Sequence, residues 1–237
     1  MSRLNRTVFI VFSLILLSWP AGKCFCNSMA EGTGNIQDTL TSSQILYNGR
    51  AWRNVYTAIK GDPYLWSKEF LTGSVTISGK TFDNNRLLYD ICKDEVMILS
   101  DKKFILQLNK ELVDRFTLIW NNQVIRFVRL EGDSTSAVSG YVNELYGGHS
   151  AVYVKYRKTI EMGVVDDKYD GFIQTSRVFV VKDGVPRQVK NKKQLIELFK
   201  DNKQKITGYI KSNKLDISGK RPESFVPVAA YYDSLNR

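Results

Sequence analysis

The sequence predicts an α+β fold: a large antiparallel β-meander with two or three short C-terminal helices packed on it. Three observations carry this. From Gln44 to Val189 the chain alternates short β-rich runs with compact turn signals. After Asn191 the apolar residues switch to helical spacing. No glycine- or proline-rich linker interrupts residues 44–237, and no repeat with a period of about 20–50 residues is visible, so they read as one domain.

The strands follow in order. "ILYNGRAW" centres on Asn48-Gly49, a pair that favours a type I′ hairpin turn. "SVTISGKTF" repeats that logic at Ser78-Gly79. "RLLYDI", "EVMIL", "KFILQL", "FTLIW" and "QVIRFVRL" come next. Their separators are Lys93-Asp94, Ser100-Asp101-Lys102, the loop around Asn109-Lys110, and Asn121-Asn122. "GYVNELYGG" and "SAVYVKYRKTIE" continue the meander, and Asp183-Gly184 joins "FIQTSRVFVV" to "VPRQV". Short, evenly spaced strands with tight connections indicate antiparallel pairing.

The helices occupy about residues 191–235. Asn191 reads as an N-cap, with Gln194 three residues on as its capping-box partner. Asp201 and Gln204 repeat the device one helix later. Leu195, Ile196, Leu198 and Phe199 supply the apolar side of the first helix, and Ile206, Tyr209 and Ile210 that of the second. A third helix is expected in "PESFVPVAAYYDSL", with a proline confined to its first turn. Helices this short are marginal alone, so they must dock on the sheet.

The N-terminus points to export. Arg3 and Arg6 precede the apolar run "VFIVFSLILLSW", and Pro20 and small residues follow. That order is a secretory signal peptide, drawn as residues 1–26 with cleavage between Cys24 and Ala30. Lys23 stands where a lipidation motif needs a small residue before Cys24. Residues 27–43 read as a polar, disordered leader. No later run reaches transmembrane length, so the mature chain is expected to be soluble or peripheral. Of the three cysteines only Cys92 is certain to remain, which leaves no internal disulfide.

The chain carries 34 Lys+Arg against 24 Asp+Glu. The signal removes three basic residues and no acid, leaving an excess of seven. Arg187 to Lys220 holds ten basic residues and three acids, which accounts for that whole excess. Lys203, Lys205 and Lys211 are the candidate contacts to an anionic surface, because they fall away from the apolar stripe of the second helix. The plainer reading is the solvated side of packed helices. Nucleic acid is not expected as a partner, since stacking aromatics are sparse there and the chain is exported.

No catalytic motif stands out. The single histidine, His149 in "YGGHS", has no nucleophile elbow beside it and reads as a turn residue. One histidine and one mature cysteine do not make a typical zinc site. Asp166, Asp167 and Asp170 in "VVDDKYDG" lack the spacing of a calcium loop and read as a solvated turn. No cofactor is expected. Trp52, Tyr56, Tyr64 and Trp66 form an aromatic cluster that reads as core ahead of a glycan platform.

"VTISGKTF", "LLYDI", "FILQLNKELVDRFTL", "VNELYGG", "RVFVVKDG", "NKKQLIELFKDNKQKITGYIKSNKL" and the terminal "YYDSL" carry a resemblance. Over roughly Tyr47 to Leu235 the chain resembles a set of uncharacterised exported envelope proteins of Bacteroidota-type bacteria. The resemblance implies a Gram-negative envelope location, in the periplasm, at the outer membrane or outside the cell. It brings no catalytic residue and no ligand. The expected function is non-enzymatic binding of another envelope protein or an anionic surface. The alternatives are a peripheral binder of anionic membranes and a hydrolase of envelope glycan acting through a carboxylate pair that nothing in the sequence selects.

Overall fold

Two-residue turns set the register of the sheet. Ser78-Gly79, Asn121-Asn122 and Asp183-Gly184 each place both residues at positive φ. That is the type I′ geometry whose twist matches antiparallel strands. In a computed structural model, which describes residues 44–132, 137–166 and 168–236, eleven strands form one sheet. They are β1 Gly49–Ala51, β2 Leu71–Ile77, β3 Lys80–Asp90, β4 Glu95–Leu99, β5 Ile105–Leu108 and β6 Val113–Trp120. There follow β7 Gln123–Leu130, β8 Gly140–Tyr146, β9 Val152–Val165, β10 Tyr169–Lys182 and β11 Val185–Gln188. The spatial order is β1-β5-β4-β3-β2-β6-β7-β8-β9-β10-β11, with every neighbouring pair antiparallel. The helices α1 Lys192–Leu198, α2 Lys203–Ser212 and α3 Val226–Leu235 follow the last strand. The fold is α+β, as the turn and period signals predict. No described helix is long and apolar enough to cross a membrane. The signal peptide and leader expected over 1–43 lie outside the described residues.

One face of the sheet carries most of the core, and a smaller cluster of Val138, Val142 and Phe179 lies on the other. Register pairs Leu87–Ile98, Val75–Phe116 and Phe116–Phe127 lie on the main face, as does Val154, which pairs with Asn143 opposite Phe127, and all six apolar residues are buried. Over β2–β8 the sheet curls around Tyr89, Phe116, Phe127 and Tyr141. Phe116 and Phe127 stack at 4.7 Å, and Tyr89 meets Phe116 edge-on at 5.2 Å. Each such ring buries about 150–250 Å², worth at most about 4–6 kcal/mol of transfer free energy. The curl is nearly closed by backbone bonds. Lys158 N donates to Ile91 O at 3.1 Å, so the end of β3 reaches β9. The strap before β2 seals the join, with Ile91 N to Pro63 O at 3.0 Å and Leu65 N to Tyr89 O at 3.2 Å.

The helices cover the other half of the main face. Leu195, Phe199, Ile206, Ile210, Phe225 and Val228 pack on Val152, Val178 and Val180. Tyr209 and Tyr231 stack at 4.1 Å between α2 and α3. Asn191 caps α1 by accepting from Gln194 N at 3.1 Å, while Gln194 Oε1 accepts from Lys190 N, one residue before the cap.

Two local expectations change. Asn48-Gly49 is no hairpin turn: Gly49 opens β1 and pairs with Leu108, where a Cβ would overlap the Gln107 carbonyl. The glycine serves close strand approach. Asp201 does not cap α2, whose N-cap is Asn202 without a side-chain bond. Its carboxylate goes instead to Lys182 on β10 and to the Tyr232 hydroxyl on α3. Tertiary partners outcompete a local cap here.

Candidate functional site

The site is built at the seam where the curled sheet nearly closes. β8 and β9 pair only between Asn143–Tyr146 and Val152–Val154. Beyond that the two strands part, and the β3–β4 turn fills the opening. Asp90 shapes this turn: its Oδ1 accepts from Cys92 N at 2.8 Å and Lys93 N at 2.9 Å, and its Oδ2 from the Tyr56 hydroxyl at 3.0 Å. Burial pushes the Asp90 carboxyl above its ordinary value despite these donors. A raised carboxyl pKa means that ionisation costs the folded state free energy above that pKa, and the cost is relieved as pH falls through it. Asp90→Asn keeps the acceptor for both amides. It is therefore expected to match or exceed wild-type stability at neutral pH, with any gain shrinking on acidification. Asp90→Ala strands two N–H groups and is expected to lose about 1–3 kcal/mol. Urea unfolding across pH checks this, and an Asn variant as damaged as the Ala variant contradicts it.

The turn ends on Asp94, the hub of the seam. Its Oδ2 accepts from Lys110 Nζ at 2.6 Å, Lys155 Nζ at 3.0 Å and Tyr141 N at 3.2 Å. Its Oδ1 accepts from the Tyr89 hydroxyl at 2.5 Å. Four separate elements thus meet on one carboxylate. Burial raises the Asp94 carboxyl, but Lys155, Lys110 and Tyr89 outweigh it and hold the group below the usual carboxylate range. The Lys155 ammonium is itself lowered by burial, against the pull of Asp94. Lys155 also donates to Tyr141 O at 2.9 Å. Gly140, at φ 89°, makes room: a Cβ there would overlap Asp94 Oδ2.

Around this hub lies a pocket of about 350 Å³. Lys93, Lys110, Lys155, Arg157 and Arg177 line it, and Asp94 is the one acid among the described lining residues. The formal excess is four positive charges. Lys155 and Arg177 stand directly opposite each other on β9 and β10, and Arg157 opposite Thr175. Like charges in directly opposed positions destabilise a sheet. Arg157, Arg177 and Lys93 are exposed and form no ion pair among the described residues. Lys93 lies over the Tyr56 ring with the Asp90 carboxyl near it, so Arg157 and Arg177 are the donors that the lining presents uncompensated to solvent.

A larger groove, about 780 Å³, lies between the helices and the β8–β9 loop. It holds Asp183, Asp201, Asp233, Tyr146, Tyr232 and the exposed His149. Asp233 accepts from Ser150 N at 2.9 Å and the Tyr146 hydroxyl at 2.9 Å. These donors outweigh burial and lower its pKa. At Asp201 burial is likewise outweighed, by Lys182 and by Tyr232 at 2.6 Å, which hold it at about 2. Glycoside cleavage needs one carboxyl held protonated near neutrality. Asp201 and Asp233 are both shifted the other way, so their geometry serves to tie loops together.

The candidate lysines Lys203, Lys205 and Lys211 lie on the exposed side of α2, away from the pocket. Trp66 stacks on Trp120 at 6.1 Å and meets Tyr156 edge-on, and Tyr56 meets Phe172 edge-on. Those rings serve packing. Among the described residues no three His, Cys, Asp or Glu side chains gather as a metal site. Sequence reasoning missed the seam because its cations come from four separate segments whose net charge is balanced. The one local signal is "KYR", which puts Lys155 and Arg157 on the same side of a strand.

No protein-family model matches the chain, and no curated protein or solved structure matches it either.

Proposed function

We propose that this is a non-enzymatic binding protein of the bacterial envelope, and that its ligand docks through an anionic group in the seam pocket. The envelope location rests on the charged and apolar order of the first 26 residues. The binding role rests on one observation above the rest: Lys155 opposes Arg177 across two strands, with Arg157 beside them and Asp94 as the one acid among the described lining residues. A fold that served packing alone would gain by losing one of these cations. An anion between them removes the repulsion and takes several charge-assisted hydrogen bonds.

The test is thermal unfolding in sodium phosphate against sodium chloride at matched ionic strength. Phosphate is expected to raise the wild-type midpoint, by up to about 2.7 kcal/mol of stabilisation when it stands at 100 times its dissociation constant. Arg157→Gln/Arg177→Gln is expected to be at least as stable as wild type in chloride and to lose the phosphate response. An equal response in wild type and variant, or none in wild type, contradicts the reading.

A second reading has its own observation. Lys203, Lys205 and Lys211 are exposed and unpaired among the described residues, which suits a peripheral contact with anionic headgroups. Replacing all three with Gln is expected to leave stability within about 1 kcal/mol per site. If it abolishes salt-sensitive binding to phosphatidylglycerol vesicles while the phosphate response survives, the helix face is a second contact surface.

A further inference from the structure

We infer that the ligand carries at least two phosphate groups, and that it spans the seam pocket and a second basic cleft across Arg177. This rests on the anion-binding reading above and specifies the chemistry of the same site. The second cleft, about 410 Å³, shares Arg177 with the seam pocket and is lined beyond it by Lys190, Lys220, Ser176 and Ser218. None of the described residues that line it is acidic. The backbone fixes this adjacency. Val189 N donates to Val178 O at 2.9 Å, which sets Lys190 beside the strand carrying Arg177. Gly219 N donates to Lys190 O at 3.0 Å, which brings Lys220 alongside. A Cβ on Gly219 would press on the Lys190 carbonyl, so the glycine lets the two segments close up. Lys190 and Lys220 are exposed and form no ion pair among the described residues.

Arg177 thus stands between two groups of cations, with Lys155 and Arg157 on one side and Lys190 and Lys220 on the other. A single monoanion would offset one charge of the seam and leave the second cleft empty. Phosphate suits the seam better than carboxylate. Its donors come from three directions: Lys93 on the β3–β4 turn, Ser139 before β8, and Arg157, Thr175 and Arg177 on the sheet. A planar carboxylate offers two oxygens in one plane, whereas a phosphoryl group turns three oxygens toward donors on different sides. Arginine's fork engages two of them at once. The seam volume also exceeds what one phosphate fills, which leaves room for the linking atoms. Multi-phosphate chemistry of this kind occurs in free polyphosphates and in phosphorylated lipid headgroups.

The experiment is isothermal titration of the full chain with orthophosphate, pyrophosphate and tripolyphosphate at fixed ionic strength, with citrate as a carboxylate trianion. Affinity is expected to rise with phosphate number, by about tenfold or more from ortho- to tripolyphosphate, because the second group binds at high effective concentration once the first is held. Lys190→Gln/Lys220→Gln is expected to erase that rise and keep orthophosphate binding. Arg157→Gln is expected to weaken all three phosphates. Orthophosphate binding with no gain from longer phosphates, or citrate binding as tightly as tripolyphosphate, overturns this inference and leaves anion docking standing. No binding of any anion overturns both. Flotation with phosphatidylcholine vesicles containing cardiolipin, whose headgroup carries two phosphates, assigns the source. Recruitment that tripolyphosphate competes away supports a lipid headgroup in the two clefts, and tripolyphosphate binding without recruitment supports a free ligand. Recruitment that survives in Arg157→Gln/Arg177→Gln overturns the lipid assignment.

Discussion

Phe199→Ala is expected to destabilise the protein by about 3–5 kcal/mol, which is a large share of the 5–15 kcal/mol that holds a typical domain together. Phe199 is fully buried at the junction of α1 and the turn that leads into α2. Its ring stacks on Tyr232 of α3 at 4.0 Å with the planes 14° apart. It also packs in the cluster that joins all three helices to Val178 and Val180 of β10. Truncation leaves a cavity lined by several elements, and none can move in without giving up its own contacts. The stack that aligns Tyr232 goes too, and with it the positioning of the hydroxyl that binds Asp201. In urea the midpoint should fall with the slope unchanged, since the same surface is exposed on unfolding. The Gln triple variant at Lys203, Lys205 and Lys211 provides the contrast on the opposite side of α2. A loss below about 1 kcal/mol for Phe199→Ala would show that the helices do not depend on this core.

Asp94→Ala is expected to cost about 3–5 kcal/mol for a different reason. It removes the carboxylate that gathers Lys110, Lys155, Tyr89 and the Tyr141 amide, and leaves the Lys155 ammonium, only 12% exposed, beside Lys110 with no counter-charge. Breaking one side of a buried pair strands the other charge, which is worse than removing both. Adding Lys155→Met to Asp94→Ala should therefore recover part of the loss. Anions should rescue the single variant: phosphate is expected to raise its midpoint more than it raises that of wild type, because the ion takes the place of the missing carboxylate. The pH dependence has a definite sign. Asp94 titrates below its unfolded value when folded, so its contribution is complete above about pH 4 and is lost as pH falls through the lower folded value. Asp94→Ala should differ most from wild type at neutral pH and least in strong acid. A difference that grows toward acid would contradict the assignment of Asp94 as an ionised hub.

Most of the fold was legible in the sequence because its signals are local. Ser78-Gly79, Asn121-Asn122 and Asp183-Gly184 announce their turns by residue type, and the strands between them alternate cleanly. Asn191 and Gln194 mark the first helix in the same way. Asn48-Gly49 misled because a glycine that permits close strand approach looks the same as one that permits a turn. Asp201 misled because Lys182 and Tyr232, far from it in sequence, claim its carboxylate. Of the seam pocket only the same-side pair Lys155 and Arg157 was legible. Lys93, Lys110, Lys155 and Arg177 come together only when the sheet curls far enough for Lys158 to reach Ile91. Net charge drew attention to Arg187–Lys220, where lysines are adjacent in sequence but most of those on α2 face solvent. Of that segment, Lys190 and Lys220 line a cleft with Arg177. Their place there depends on the Val189–Val178 and Gly219–Lys190 backbone bonds, which no local pattern signals.

Anion docking at the seam is tested most directly by locating a heavy tetrahedral dianion in crystals of the protein. Tungstate soaked at low millimolar concentration and located by its anomalous scattering should give its strongest peak between Arg157, Arg177 and the Lys155–Asp94 pair. A weaker peak should lie beside Lys190 and Lys220. Peaks confined to Lys203, Lys205 and Lys211 on α2, with none at the seam, would contradict the account.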